Sequence, residues 1–527
     1  MSEQFDYVIV GAGSAGCVLA ARLSEDPDVR VALLEAGGED TQPEIRIPAI
    51  FPIMFKTELD WDLFGDPEPG MDNRRLYLPR GRMLGGCSSI NAMIYVRGNR
   101  LDYDSWAAAG CDGWGYEDVL PYFKRSEDNE RGEDAYHGAG GPLTVSESRS
   151  MQPLVDAMIE AARQAGHELN PDFNGARQEG VGRFQLTQRD GKRLSTADAF
   201  LHPVRSRPNL TVITHAYATR LLFDGRRANG VQYARLDETL QIRAGREVIV
   251  SAGTYYSPQL LMLSGIGPED QLAPMGIEIR EALPVGSNLQ DHCMANLNYT
   301  TTGPSLFDAA SPENFALFAS EGRGPLTSNI PEAAGFFRAR SGVEAPDVEF
   351  HFAPGMLYDG GLTAPEAPGM AYGPVVIKPT SRGRVMLRSP MPQAKPRVVC
   401  NFLTTEEDRA SMLAGLRMAL EMAEQPALRA VIDRPFRVPD SDSDEDLMAF
   451  ARGEGMTVFH PTSTCAMGAV VDSELRVYGV EGLRVADASV MPEITRANTN
   501  AATIMIAEKA ADLIRSGSAA RTTAGVV

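Results

Sequence analysis

Three groups of residues in this chain have the types and spacing to do chemistry: an early set of glycines, a scatter of histidines and a run of carboxamides near the end. Gly11, Gly13 and Gly16 follow the apolar run Phe5 to Val10, and a second apolar run, Val29 to Leu34, ends at Glu35. Each glycine has its own task. Gly11 permits a tight strand-to-helix turn, Gly13 lets backbone approach a pyrophosphate, and Gly16 lets helix and strand pack closely. Ser14 and Ala15 open the helix that follows, whose free N–H groups and dipole favour an anion. Glu35, followed by Ala36, places a carboxylate where it accepts hydrogen bonds from an adenosine ribose and repels a 2′-phosphate, which points to FAD or NAD rather than NADP. The histidines are at 137, 167, 202, 215, 292, 351 and 460. A neutral imidazole, with an ordinary pKa of about 6.5, suits the taking of a hydroxyl proton. His460 lies in Val458-Phe459-His460-Pro461, where apolar neighbours imply burial and Pro461 favours extended backbone before it; on these grounds alone it reads as a packed core residue more readily than as a base. Asn498, Thr499 and Asn500 have the residue types of helix N-caps.

The elements needed to position these residues come in separate stretches. Residues 1–40 read as strand, helix, strand; 200–295 alternates β runs with turns; 455–527 closes with a strand and a helix expected over 501–514. Together with 76–150 these form one discontinuous nucleotide-binding domain. The remainder, 41–75, 151–199 and 296–454, is assigned to a substrate-binding cap and cover segments. Within it, β-like runs at 347–352, 375–378 and 383–387 and a Met/Ala/Leu helix near 405–424 suggest a separate sheet backed by helices. The expected class is α/β with an α+β cap: a Rossmann-like domain interleaved with a substrate-binding domain built on an antiparallel sheet. His351 and Glu332 fall where the cap should wall a pocket, and either a substrate contact or a core-paired role fits them.

Bulk properties exclude several functions. Fifty Lys and Arg against 70 Asp and Glu give a net charge of −20, a field that repels phosphate backbones, so no nucleic acid partner is expected. Cysteines 17, 87, 111, 293, 400 and 465 show no paired spacing, which fits reduced thiols in a cytoplasmic chain. His292, between Asp291 and Cys293, cannot converge with its neighbours on one ion, so no metal and a structural role are expected. No apolar stretch approaches the roughly 18 residues of a membrane span, and the first strand begins too early for a signal peptide.

Passing electrons from a nicotinamide to a flavin requires two dinucleotide sites. Gly180-Val181-Gly182 lacks a third glycine, and Ser264-Gly265-Ile266-Gly267 follows an apolar helix rather than a strand. A single nucleotide must then carry its own redox centre, which favours FAD. At this point a resemblance becomes specific. Pro79-Arg80-Gly81-Arg82-Met83-Leu84-Gly85-Gly86-Cys87-Ser88-Ser89-Ile90-Asn91 resembles the first signature of the glucose-methanol-choline oxidoreductase family, and the stretch from Gly253 through Ser257-Pro258 to Ser264-Gly265-Ile266-Gly267 resembles the second. Gly286 to His292 and Gly482 to Lys509 are further family-like blocks. The likeness spans nearly the whole chain and is greatest to the choline dehydrogenase and alcohol dehydrogenase or oxidase branch.

The resemblance implies FAD held by Arg82, Gly85, Gly86, Asn91, Ala92, Ala218, Ala252, Gly253, Asp487, Ala488 and Asn500 in addition to the first glycine segment. Some relatives carry a flavin-linked His where this chain has Ile90, so the FAD should be noncovalent. The family places its catalytic base in a His-Pro context, which falls on His460, and its second catalytic residue, His or Asn, nine positions after Ser489, which falls on Asn498. Phe459 then faces the substrate. The implied reaction is oxidation of a primary alcohol to an aldehyde, with hydride passing to flavin N5 and electrons leaving to oxygen or another acceptor of artificial or quinone type. Choline, long-chain, benzylic and furanic alcohols all lie within that branch, and no aromatic cage for a quaternary ammonium can be placed from the cap sequence. The alternatives are a lyase or photodecarboxylase on the same scaffold, and a noncatalytic flavoprotein.

Overall fold

The computed structural model describes residues 4–150 and 152–524. The residues around the glycine motif build a seven-stranded sheet. β1 (Gln4–Val10) leads through α1 (Ser14–Leu23) to β2 (Val31–Leu34); β3 (Leu210–Ile213), β4 (Tyr217–Asp224), β5 (Arg227–Arg235) and β6 (Glu238–Val250) follow, then α2 (Gly253–Leu263), β7 (Leu483–Val485) and α3 (Thr499–Ala524). The strand order is β3-β2-β1-β6-β5-β4, with β7 on β6. β3, β2, β1, β6 and β7 run parallel, while β4 and β5 turn antiparallel at the edge. Parallel strands are covered on both faces, which is why Val31-Ala32-Leu33-Leu34 is continuously apolar and wholly buried. The C-terminal helix begins two residues before the expected 501 and packs on α1, where Arg22 pairs with the buried Glu508 at 2.8 Å.

The second sheet has eight strands, all paired antiparallel. Its main order is Ile432–Arg437, Leu297–Thr301, Gly369–Val376, Val348–Ala353, Ala333–Phe337 and Gly180–Arg183. The helix Glu406–Ala423, capped by Thr405, lays Met412, Leu416 and Ala419 against it. The apolar run at 383–387 does not join this sheet: Arg384–Met386 pairs with Arg397–Val399 in a separate ribbon. Two very short strands do join it. Cys293–Met294 pairs with Met456–Thr457, Cys293 opposite Thr457 and Met294 opposite Met456. Both come from stretches assigned by sequence to the nucleotide-binding part, and their pairing brings together His292 and His460, 168 residues apart in the chain.

Candidate active site

One large cavity runs from the glycine turn to the second sheet. At its nucleotide end Gly11 has φ +99°, and a Cβ there would lie 2.5 Å from the Ser251 carbonyl oxygen; a Cβ on Gly16 would lie 1.8 Å from that of Gly11. Gly13 is different. Its added Cβ would meet only Gly86 Cα at 4.0 Å, so the backbone before α1 is open to the cavity, and the helix starts without a side-chain cap. Those N–H groups are the anion cradle. Glu35 sits at the end of β2 and accepts from the N–H groups of Ala12 at 2.9 Å and Gly37 at 2.8 Å. Burial pushes its carboxyl up to about 7, and those N–H groups and Arg82 pull against the shift. Asp487 accepts from the Gly253 N–H at 2.8 Å, the Ser257 hydroxyl at 2.5 Å and the Ser489 N–H at 2.8 Å, which ties the start of α2 to the end of β7. The Asn91 amide oxygen accepts from the Met93 N–H and from Arg193, both at 2.9 Å, leaving its NH2 as the group it presents.

The end of the cavity that holds His460 and Asn498 is assembled by Asp291. Its Oδ1 accepts from the backbone N–H groups of His292 and His460, each at 2.9 Å, and its Oδ2 from the Thr457 hydroxyl at 2.7 Å. Phe459, between Thr457 and His460 in the second strand's exit, is held at φ +68°. A left-handed conformation is strained for a bulky residue, and it is sustained by donation from its own N–H to Thr457 at 2.7 Å and from Arg80 to its carbonyl at 2.7 Å. The turn aims the imidazole at two partners: His460 Nδ1 lies 3.0 Å from His292 Nδ1, and His460 Nε2 lies 3.1 Å from Asn498 Nδ2. Asn498 Oδ1 is buried without a hydrogen-bond partner. Burial holds the His460 imidazole well below its ordinary range, with His292, His351 and Arg80 adding to the effect. Burial likewise pushes His292 down to about 3. Both rings are therefore neutral near pH 7.

His460, Asn498, Phe459 and His351 all line the cavity, as do Gly11, Gly13, Ser14, Ala15, Glu35, Ala36, Gly86, Asn91, Ala92, Ala218, Ala252, Gly253, Asp487, Ala488 and Asn500. Four expected residues lie behind its wall. Gly16 and Gly85 serve chain packing, and Gly85 donates its N–H to the Ala12 carbonyl at 2.8 Å. Arg82 stacks 5.0 Å from the Trp61 ring centre. Glu332 is fully buried just before the strand Ala333–Phe337, accepting from the Gln152 N–H at 3.2 Å with Arg183 at 3.5 Å, and does not line the cavity. His351 meets Glu349 at 3.1 Å. The sequence reading missed the direct contact of His292 with His460, the clamp by Asp291, and the wall residues Phe51, Phe55, Met294, Ile330 and Leu357. Only the Asp291-His292 pair carried a local signal. Among the described residues, the one group of three ligand-type side chains within mutual reach, Asp40, Asp198 and His202, is bridged by Arg46 at 2.8 Å to both carboxylates.

The two GMC oxidoreductase family models match residues 5–294 and 379–507. The chain belongs to the GMC oxidoreductase family. Members are FAD-dependent, and this one is an oxidoreductase acting on CH–OH donors. It is 44% identical to the oxygen-dependent choline dehydrogenase of Ectopseudomonas mendocina, over 98% of this chain and 94% of that one. The pyridoxine 4-oxidase structure from Mesorbium loti superposes with a TM-score of 0.89 at 33% identity, covering 96% of this chain and 98% of that one. A formate oxidase variant from Aspergillus oryzae, solved to follow FAD modification, gives 0.92 at 27% identity, with 98% and 99% covered. No helix among the described residues is long and apolar enough to cross a membrane.

Proposed function

We propose that the chain oxidises a primary alcohol to an aldehyde, with His460 as general base and Asn498 as the group that holds the alcohol oxygen. The observation that carries this reading is the pairing of His460 Nε2 with the Asn498 amide at 3.1 Å, on the wall of the cavity whose other end is the glycine cradle. The cradle fits a dinucleotide, since Gly13 and Gly253 leave open space where a side chain would intrude. Gly11, Gly13, Ser14, Ala15 and Gly86 would face its pyrophosphate, Glu35 and Ala36 its ribose, and Asn91, Ala92, Asp487, Ala488 and Asn500 the ring region. Bound there, FAD would supply a two-electron acceptor for the hydride of the carbinol carbon, with flavin N5 as the accepting position.

The chain's own residues handle the proton. The 3.0 Å contact between the two Nδ1 atoms holds one hydrogen between two nitrogens. With that hydrogen on His460, its Nε2 carries a lone pair toward the cavity. A bound alcohol takes the place of the contact between them, donating its O–H to that lone pair while the Asn498 NH2 turns to donate to the alcohol oxygen, so the proton leaves for the imidazole as the C=O bond forms. General-base assistance of this kind contributes about 10²–10⁴-fold. The imidazolium formed is unfavourable in so buried a place and returns its proton when product leaves. α3 starts on the cavity wall at Thr499, so its positive end favours negative charge nearby.

Noncovalent attachment is supported by Ile90, a side chain with no nucleophilic atom, at the position of the family's linking residue. Free thiols at all six cysteines support a reducing, cytoplasmic location. The test is to follow dye reduction and oxygen uptake side by side over a panel of primary alcohols with FAD-loaded protein in the dark. Turnover with either acceptor supports the reading and identifies the acceptor; no turnover without light favours the photodecarboxylase alternative.

A further inference from the structure

The walls of the cavity separate by chemistry. Among the described residues, its charged lining residues are Glu35, Arg80 and Asp487. Glu35 and Asp487 belong to the nucleotide end, and their oxygens are taken up by backbone N–H groups and the Ser257 hydroxyl. Around His460 and Asn498 the lining includes Phe55, Ile94, Met294, Ile330, Leu357 and Phe459, with His351 as a further polar side chain. Met294, Ile94 and Phe459 belong to one apolar cluster that also contains Ala497, next to Asn498. Three carboxylates lie behind this part of the wall and none is in its lining: Asp291 is spent on two backbone N–H groups and Thr457, while Glu332 and Glu349 are fully buried, each with one oxygen in contact, with the Gln152 N–H and His351 respectively, and one without a partner. The cation present, Arg80, donates to the backbone carbonyls of Pro79 and Phe459.

We infer that this site selects uncharged alcohols with an apolar alkyl or aryl tail and discriminates against quaternary ammonium alcohols such as choline, the compound in the name of its 44% identical relative. The inference rests on the alcohol-oxidation reading above and adds the substrate class to it. A fixed positive charge entering this pocket loses its water and finds no carboxylate in exchange, which is the costly case for a buried ion. Phenylalanine faces return part of that cost through cation–π attraction. Here Phe55 and Phe459 stand edge to face at 6.0 Å, so the two rings spend part of their surface on each other, and Arg80 adds like charge. The protein's net charge of −20 draws cations from a distance but supplies no counter-ion inside. For a neutral chain or ring the same walls return apolar burial with nothing to offset it.

The deciding pair is choline and 3,3-dimethylbutan-1-ol, which share a shape and differ in having nitrogen cation or neutral carbon at the branch. With the FAD-loaded full chain and an artificial acceptor, kcat/KM for the neutral isostere should exceed that for choline by at least about 100-fold. The same order should hold when both compete with 1-hexanol as inhibitors, which covers the case that either one turns over slowly. Equal values, or a preference for choline in both measurements, overturn the inference while leaving alcohol oxidation intact. If no alcohol in the set reduces the flavin, the alcohol-oxidation reading fails and takes the inference with it.

Discussion

The two ends of the cavity are built on opposite terms. At the nucleotide end the carboxylates are spoken for: Glu35 and Asp487 are each held by backbone N–H groups within 2.9 Å, and Gly11 and Gly16 sit where any side chain would strike backbone. At the catalytic end Asn498 Oδ1 has no partner, His460 is kept neutral by burial, and Phe459 is held in a left-handed turn to aim it. A binding cradle gains from saturation, because a fixed ligand needs fixed surroundings. A proton-transfer site gains from groups that can exchange a contact with each other for contacts with a substrate.

Substitutions at each end should therefore fail differently. His460→Gln should lower kcat/KM about 1,000-fold while FAD content stays at the wild-type level, checked by steady-state kinetics on protein of measured flavin-to-protein ratio. Asn498→Ala removes the donor to the alcohol oxygen but leaves the base, and should lower kcat about 100-fold in the same assay. Gly16→Ala belongs to the other end. Its Cβ would sit 1.8 Å from the Gly11 oxygen, so FAD affinity measured by titration of apoprotein should fall at least about tenfold, with kcat of the loaded fraction unchanged.

The pH profile sharpens the contrast further. The base works when unprotonated, and burial holds His460 well below its ordinary value. Activity is lost only as pH falls through that lowered value, so kcat/KM should be flat between pH 7.5 and 6.5, where an ordinary imidazole with a pKa of about 6.5 would lose half of it. Glu332→Gln should be the mildest change. Glu332 lies outside the cavity, so kcat/KM should move by less than about twofold, since no transition-state contact is lost; a large rise in KM would place it back on the substrate path.

The same contrast explains what could be read before the fold was seen. Gly11, Gly13, Gly16 and Glu35 act within one strand-helix-strand unit, so spacing along the chain was enough to place them. His460 and Asn498 were identified through resemblance and not through local pattern, because a histidine among apolar residues and an asparagine before a helix look the same in an inert protein. The neighbour of His460 is 168 residues away, and the two meet through a pair of two-residue strands too short to leave a periodic signal. Asp291 went without a role because its work is to accept backbone N–H groups, which any buried Asp could do in any loop. Glu332 was given a pocket role from its place in the cap, but its side chain is buried against the Gln152 N–H, a contact 180 residues away that no local pattern announces. The helix over 405–424 was found nearly to the residue, since its periodicity and Thr405 cap are both local.

The central claim is that His460 takes the alcohol proton as the flavin is reduced. Dark, anaerobic mixing of FAD-loaded protein with 1-hexanol tests it in a single turnover. The wild-type flavin should bleach, and the His460→Gln flavin, equally occupied, should bleach about 1,000-fold more slowly. Bleaching of the variant at the wild-type rate, or a wild-type flavin that keeps its colour, would contradict it.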